Sequence, residues 1–293
     1  MRGTRVVACL LMWIAAACSS GPAASPTTTT TTTTPVLGSV STTTTTEPTT
    51  LGGSEGFQTR KPGTLVVGTE RLVAPWYIGP GSGVITGGFE YDLAKELSKR
   101  LGVPNVQVVS TSLVLLMTGQ DCKCDLMLGG ITVTDGRART IDLSEPYLTA
   151  DQGVLMRAGS TISSLAEAAA LRWGVAVRNL TGQDVINSRI MPATPPHVVV
   201  NDEDAIRRVA DGRLDAMLLD TPDALAVALA DPSFVVAGQF RTGELFAAAL
   251  SLGSPNTTFI NDIIRDMRND GTIDRLLRIY LRIEPADVRA IPP

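Results

Sequence analysis

The chain has 293 residues, of which 44% are hydrophobic and 18% are charged, and its formal net charge is −4. Such a length is enough for one large domain or for two ordinary domains with a substantial core. There is no basic excess to favour a nucleic-acid partner, and a single histidine, His197, excludes a multi-histidine metal site.

The amino terminus has the features of a bacterial secretion signal. Two arginines precede an apolar run at residues 6–17, which is shorter than the about 20 residues needed to cross a bilayer. Small residues end this run directly before Cys18, which predicts a signal peptide over residues 1–17. The junction resembles a lipobox, in which the cysteine receives a diacylglycerol, although Ala15 stands where leucine is usual. We expect a lipid anchor at Cys18 that holds the protein on the cell membrane, facing outside the cytoplasm; a chance cysteine is the alternative.

A Thr/Pro-rich stretch follows the predicted cleavage site. Unbroken threonine runs occupy residues 27–34 and 42–46, with prolines around them. Few of these side chains are apolar, so no core forms, and we predict a disordered tether over residues 18–60. The folded part then begins at Lys61.

The folded part alternates short apolar strands with amphipathic helices. The first strand is Leu65–Val67, and apolar residues every fourth position from Phe89 to Leu101 predict a helix that ends at Gly102. Further strands are predicted at Val106–Val109, Asp125–Leu128, Val154–Met156, Val175–Val177, Val198–Val200 and Met217–Leu219. Further helices are predicted after Ser112, after Asn201, after Thr221 and from Phe259 to Met267. This alternation favours α/β layers, and the length favours two lobes.

Cys122 and Cys124 are the only cysteines in the predicted folded part. A disulfide at this spacing closes a small ring, and a metal site would need more ligands than the neighbouring sequence offers. We interpret the two as structural residues of a turn, oxidised outside the cell. Whether they form a disulfide stays open, as does a redox role.

Four short segments, taken in order, carry a family pattern. They are GFEYDL at 88–93, TVTDGR with DLSEPY inside 125–147, GRLDA leading to Asp220 at 212–220, and NDGT at 269–272. Together they resemble the family-3 extracellular solute-binding proteins, which serve polar amino-acid ABC importers. The resemblance implies a two-lobed α/β, periplasmic-binding-protein-like fold with a hinge and an interlobe ligand cleft. It places residues 61–152 and 244–293 in the first lobe and residues 153–243 in the second.

The resemblance also implies a function. The chain would be a non-enzymatic binding protein that delivers a free amino acid to an ABC permease in the membrane. Two other functions stay open: an enzyme on the same scaffold, such as a dehydratase of cyclohexadienyl substrates, and an amino-acid sensor subunit. The cleft motifs contain no histidine base and no nucleophile beside a base, and we expect no metal or cofactor.

A free amino acid carries a carboxylate and an ammonium, so its site needs a cation and an anion. Arg137 and Asp220 each follow a predicted strand, and open α/β sheets bind ligands outside the carboxyl ends of strands. By resemblance, Arg137 holds the carboxylate with Thr132 and the Gly-rich turn at Gly130, and Asp220 holds the ammonium. Alternatively, Arg137 is a surface residue and Asp220 a helix N-cap.

Two positions depart from the family pattern. The second lobe usually offers a Gly-Thr-Thr turn, but here Leu180 precedes Thr181, whose hydroxyl is available for the ligand carboxylate or for a helix cap. In the first lobe, Val73 stands where an aromatic residue is common, and Trp76 replaces a phenylalanine. Trp76 forms an apolar wall over the ligand or packs beneath the loop.

Glu70 follows the first predicted strand and bears on the ligand side chain. Relatives that take cationic amino acids tend to carry an acid at this position, and a carboxylate there would attract a cationic side chain and repel glutamate. The neighbouring Arg71 would weaken that effect by neutralising the charge. The sequence therefore favours a polar or cationic amino acid as the ligand, with a solvated surface role for Glu70 as the alternative.

Overall fold

The structure is a computed structural model that describes residues 56–80 and 84–292. The predicted signal peptide, Cys18 and both threonine runs lie outside the described residues. Two five-stranded sheets organise the described chain, and each packs against helices. The predicted two-lobed α/β architecture is therefore confirmed.

The first sheet takes its strands from two separate parts of the chain. Its strands are β1 (Thr64–Thr69), β2 (Asn105–Ser110), β3 (Leu126–Met127), β4 (Ile141–Thr149) and β10 (Leu245–Ser251), in the order β2-β1-β3-β10-β4. Strands β1, β2 and β3 are parallel, whereas β10 runs antiparallel to β3 and β4. The helices of this lobe are α1 (Phe89–Arg100), α2 (Leu113–Met117), α3 (Asp135–Ala138), α8 (Thr257–Asn269) and α9 (Thr272–Leu281).

The second sheet lies between these parts in sequence. Its strands are β5 (Gln152–Arg157), β6 (Trp173–Ala176), β7 (His197–Val199), β8 (Ala216–Asp220) and β9 (Phe234–Phe240), in the order β7-β6-β8-β5-β9. The helices here are α4 (Leu165–Ala169), α5 (Leu180–Asp184), a π-helical turn (Val185–Ile190), α6 (Asp202–Ala210) and α7 (Thr221–Ala230). The chain passes from the first sheet to the second between β4 and β5, and returns between β9 and β10.

Helix α1 shows how local pattern sets the fold. Phe89, Leu93 and Leu97 lie on one face and are fully buried in the core of the first lobe. Acidic residues occupy the first turn and basic residues the last turn, as the helix dipole favours. Gly102 follows in the left-handed conformation, with φ 69°, that ends many helices.

Two predicted helix N-caps, Ser112 and Asn201, are also present in the structure. The Ser112 hydroxyl accepts a hydrogen bond from the Val114 amide at the start of α2. The Asn201 side chain accepts one from the Asp204 amide at 3.0 Å and begins α6. Short polar residues before an apolar run are therefore sufficient to fix these two helix starts.

The first folded residues come earlier than predicted. Residues 56–60 were assigned to the tether, but Phe57 lies edge-on to Phe259, with ring centroids 6.0 Å apart. Gln58 exchanges two hydrogen bonds with Asn256, at 3.0 and 2.7 Å. One aromatic side chain and a paired backbone are enough to hold this segment on the first lobe.

The end of the chain also lies elsewhere than predicted. Residues 244–293 were assigned to the first lobe, but after α9 the chain makes a 3₁₀ turn at Pro285–Asp287 and runs along β9 of the second sheet. Ile291 is 3% exposed and belongs to the second core. Gly238 permits this approach, because a Cβ at that position would lie 2.9 Å from the Ile291 side chain. This crossing joins the two lobes a third time.

Cys122 and Cys124 are joined by a disulfide, and both are buried. The structure therefore agrees with our interpretation of these two cysteines as oxidised, structural residues. Within the two described stretches, no helix is long and apolar enough to cross a membrane. The same residues contain no group of three or more side chains arranged to hold a metal ion.

Candidate functional site

Charged side chains from both lobes influence one another at the cleft between the sheets. Glu70 and Arg71 follow β1, and Arg137 lies in α3, which follows β3. Asp220 ends β8 of the second lobe. The carboxyl ends of strands thus bring the predicted residues Glu70, Arg137 and Asp220 into one electrostatic network.

Arg137 is half-buried, and its guanidinium has no carboxylate within ion-pair distance among the described residues. Its Nη1 atom donates a hydrogen bond to the Thr132 carbonyl at 2.6 Å, which fixes the side chain against the Gly-rich turn. Burial lowers the pKa of Arg137, whereas the carboxylates of Glu70, Asp220 and Glu244 favour its charged form from a distance. Within the described part of the chain, the guanidinium makes no ion pair with an N–O distance of 4.0 Å or less. Its remaining donors are available to a carboxylate ligand.

Asp220 and Glu244 meet at the side chain of Gln152. The Gln152 Nε2 atom donates to Asp220 Oδ1 and to Glu244 Oε2, each at 2.8 Å. Burial raises the pKa of Asp220 to about 8, and the charges of Asp223 and Glu244 add to that rise. The site therefore holds two neighbouring carboxyl groups that a cation would stabilise.

Asp220 also occupies the N-cap position of α7, where Thr221 was the predicted cap. Its side chain makes no capping hydrogen bond to the helix. The Thr221 hydroxyl donates instead to the Asp151 carbonyl at 2.6 Å. The Asp220 carboxyl group is therefore directed to the cleft network, which removes the alternative of a purely capping role.

Thr181 contacts the network through Glu244. Its hydroxyl donates to Glu244 Oε1 at 2.7 Å. The N-cap of α5 is Asn179, whose side chain accepts from the Gly182 amide at 2.7 Å, so Thr181 is not a cap. In the structure the acceptor of this hydroxyl is a protein carboxylate, whereas the sequence predicted a ligand carboxylate.

Glu70 is held by the first lobe. Its Oε1 atom accepts hydrogen bonds from the Ser112 hydroxyl at 2.7 Å and from the Leu113 amide at 2.8 Å. The side chain therefore helps to begin α2 and acts on Arg137 only at longer range. Glu70 is exposed and is held by two hydrogen bonds, so both a role toward the ligand and the solvated surface role stay open.

Trp76 and Gly130 lie beneath the cleft. Trp76 is fully buried between Phe89 and Phe246, so it packs under the loop. Gly130 adopts a left-handed conformation, with φ 62°, and its amide donates to Glu90 Oε1 at 2.8 Å. The Gly130 amide therefore holds the turn in place by binding a buried carboxyl group beneath it.

The structure adds site residues that the sequence did not single out. Asp223 lies one turn after Asp220 in α7, and Arg71 Nη2 donates to its Oδ1 atom at 2.5 Å. Gln152 begins β5, and Glu244 directly precedes β10, so both lie where the chain crosses between lobes. Of these residues, only Asp223 could have been noticed in the sequence, because it is a charged residue in the first turn of the helix that Asp220 begins.

Comparison with known proteins gives one family match and several individual relatives. Residues 65–283 match the sequence model of the bacterial extracellular solute-binding proteins, family 3. An L-cystine-binding protein of Escherichia coli K12 is 27% identical over 233 residues, covering 75% of this chain and 83% of that protein. A glutamine-binding protein of a Bacillus subtilis 168 ABC transporter is 25% identical over 214 residues, covering 71% and 77%.

A solved structure extends the likeness to three dimensions. An ancestral cationic amino acid solute-binding protein is 31% identical, with a TM-score of 0.64, covering 75% of this chain and 96% of that one. All three relatives are named as binding proteins, in agreement with the expected non-enzymatic role.

Proposed function

Because the chain belongs to family 3 of the bacterial extracellular solute-binding proteins, we propose that it captures a free amino acid between its lobes for an ABC permease. The environment of Arg137 is the main observation in support of this proposal. It is a half-buried guanidinium acted on by Glu70, Asp220 and Glu244, and none of the described carboxylates forms an ion pair with it. A zwitterion completes this arrangement, because its carboxylate meets the arginine and its ammonium meets the carboxyl groups.

The predicted residues take different parts in this site. Arg137, held by the Thr132 carbonyl, binds the ligand carboxylate, and Asp220 binds the ammonium. Thr181 contributes its hydroxyl oxygen beside Glu244. Three further residues support the site from the first lobe: Glu70, Gly130 and Trp76.

The balance of charge favours a cationic or polar side chain. Around Arg137 the cleft presents Glu70, Asp220 and Glu244, so a neutral zwitterion leaves an excess of negative charge. A second positive group on the ligand reduces that excess, whereas glutamate adds to it. The named ligands of the relatives, which are cystine, glutamine and cationic amino acids, are consistent with this class.

The remaining parts of the proposal concern placement. The lobes comprise residues 61–152 with most of 244–293, and residues 153–243, with the final segment laid across the second lobe. A lipid on Cys18 anchors the chain to the membrane, on the side facing outside the cytoplasm. The Thr/Pro-rich stretch then gives the binding domain reach toward its permease.

Calorimetric titration with each common L-amino acid tests the proposal. Arg137→Ala and Asp220→Asn are each expected to weaken binding at least roughly tenfold, because each strands the opposite charge of the ligand. The matched controls are Arg139→Ala and Asp231→Asn, which change exposed residues near the same elements. Ligands with a blocked amino or carboxyl group should not bind. An amino acid that binds both site variants as tightly as the wild type would refute the assignment.

The same protein preparation separates binding from enzymatic turnover. Incubation with prephenate or arogenate should leave either compound unchanged, since a receptor releases its ligand intact. Conversion that is lost in Asp220→Asn would instead establish a dehydratase-like enzyme.

A further inference from the structure

One carboxylate joins the two lobes across the cleft. Asp223, in α7 of the second lobe, accepts hydrogen bonds on Oδ1 from Arg71 Nη2 at 2.5 Å and from Trp76 Nε1 at 2.9 Å. Both donors belong to the loop after β1 of the first lobe. The contact needs no bound ligand, because protein atoms supply every partner in it.

The surroundings make this contact stronger than a surface ion pair. The side chains of Arg71 and Asp223 are 28% and 22% exposed, so water screens them only in part. Trp76 is fully buried, and Asp223 is the acceptor for its indole N–H. Separation of the lobes would leave that donor without its partner, which is costly for a buried group.

Two further features position Arg71. Its guanidinium carbon stacks 5.1 Å from the centre of the Trp76 ring. Its Nη1 atom passes so close to Gly130 that a Cβ at that position would lie 2.7 Å away. A side chain at position 130 would therefore displace the guanidinium from the position in which it reaches Asp223.

The same helix adds an apolar contact. Leu225 and Ala226 follow Asp223 in α7 and pack against the core of the first lobe. Helix α7 thus presents a polar anchor at its first turn and an apolar patch in its middle to the opposite lobe. These contacts would have to separate together when the cleft opens.

Arg71 also has a second carboxylate within its own lobe. Glu90 accepts from the Tyr147 hydroxyl and the Gly130 amide through Oε1, at 2.6 and 2.8 Å. Its Oε2 atom is buried and has no hydrogen-bond partner among the residues that the structure describes. The Arg71 guanidinium and the Glu90 carboxyl group act on each other electrostatically, and Arg71 Nη1 lies beside Gly130, whose amide binds this carboxyl group.

We propose that Arg71 is a latch that exchanges partners as the lobes move. In the closed arrangement it binds Asp223 and holds the lobes together without ligand. In the open arrangement it turns back to the free oxygen of Glu90. This goes beyond the proposed function, since it concerns the unliganded protein and no ligand identity enters it.

Interlobe distances in the ligand-free protein test the latch. Spin labels are attached through Leu252→Cys and Thr161→Cys, two exposed positions in different lobes, in the full chain with Cys9 and Cys18 replaced by serine. The Cys122–Cys124 disulfide is kept. Pulsed electron paramagnetic resonance then gives the ratio of short to long distances.

We expect Asp223→Asn to lower this ratio at least roughly fivefold, because asparagine can still accept from Trp76 but cannot pair with the arginine charge. Arg71→Gln should lower it by less, because this variant also loses the contact with Glu90 in the open arrangement, and the double variant should match Arg71→Gln, as a direct pair requires. Asp231→Asn, at the other end of α7, is the control and should match the wild type. An Asp223→Asn distribution identical to that of the wild type would overturn the latch.

The exchange with Glu90 has its own readout. In the Asp223→Asn background, where the open arrangement is well populated, Glu90→Gln removes the alternative partner and should restore short distances. A ratio that stays unchanged or falls further would refute the exchange. Circular dichroism of each variant verifies that it is folded. No amino acid is added at any stage, so failure of the latch leaves the proposed function intact.

Discussion

Asp220 and Glu244 accept hydrogen bonds from one and the same amide nitrogen, Nε2 of Gln152, each at 2.8 Å. Asp220 ends a strand of the second lobe, whereas Glu244 stands where the chain re-enters the first. An amide donor carries no charge, so it holds the two carboxyl groups together without neutralising them. A ligand cation placed beside them would relieve their repulsion, which makes this pair the part of the site most sensitive to ligand charge.

Removal of the Glu244 charge should therefore change selectivity. Glu244→Gln keeps the size of the side chain and leaves Asp220 to bind the ammonium. We expect the ratio of affinities for L-arginine and L-glutamine to fall about tenfold, because only the cationic side chain loses an attraction. Calorimetry with both ligands measures the ratio, and Glu203→Gln, an exposed change in α6, serves as the control. A ratio that stays the same would show that Glu244 does not act on the ligand side chain.

The raised pKa of Asp220 predicts a pH-dependent stability. With a pKa of about 8 when folded, against about 3.9 when unfolded, the folded state binds a proton that the unfolded state has lost. The Asp220 contribution therefore destabilises the ligand-free fold progressively as pH rises from 4 to 8. Asp220→Asn removes it, so the variant should gain stability over the wild type by up to about 1.4 kcal/mol per pH unit in this window.

Urea unfolding of both proteins at several pH values measures this gain. The difference in unfolding free energy should be small at pH 4 and largest near pH 8. A difference that is constant across the window would show that Asp220 ionises in the folded state as it does in the unfolded state. Asp231→Asn is the control, since that carboxyl group is exposed.

The local pattern of the sequence was enough to predict much of the fold. Helix α1 and strand β1 formed as expected, because apolar residues recur every fourth position in the helix and the strand is a short apolar run rich in valine. Strands β4, β9 and β10 were not predicted. Strand β4 contains Pro146 next to irregularities in its pairing, and β10 is rich in alanine, which has little preference for strands. We attribute the formation of β4 and β10 to their pairing within the sheet rather than to their own sequences.

The candidate site was predictable only in part. Arg137 and Asp220 were singled out by the family resemblance, and the position of each after a predicted strand agreed with it. Arg71 was expected to neutralise Glu70, and its contact with Asp223 was missed because the two residues are 152 positions apart and meet only where the lobes meet. No local feature marks a residue that acts across a cleft.

The terminal segment on the second lobe should contribute to stability. Ile291 is 3% exposed in the second core, while the Gln239 side chain donates to the carbonyls of Pro285 and Val288 at 2.9 and 2.6 Å. Ile291→Ala should lower the free energy of unfolding by about 2–4 kcal/mol, as truncation of a buried aliphatic residue does. Ile279→Ala, at a side chain 49% exposed, should cost much less. Equal losses in urea unfolding would place Ile291 outside the core.

The lipid anchor is tested by fractionation. Cys18→Ala should move the protein from the membrane fraction to the medium or the soluble envelope fraction, because the acyl chains have no other attachment point. Cys9→Ala is the matched control, since that cysteine lies within the predicted signal peptide and its loss should leave membrane retention unchanged. Retention of Cys18→Ala in the membrane fraction would remove the lipoprotein proposal.

The variant Arg137→Lys tests whether ligand binding needs the planar guanidinium of arginine or only its positive charge. One nitrogen of the guanidinium already donates to the Thr132 carbonyl at 2.6 Å, and the others are left for the ligand carboxylate. Lysine has a compact ammonium that cannot hold the carbonyl and also form two parallel bonds to a carboxylate. We expect binding at least roughly tenfold weaker, with the free energy of unfolding changed by less than about 1 kcal/mol. Arg139→Lys is the control, and an Arg137→Lys protein that binds like the wild type would show that charge alone suffices.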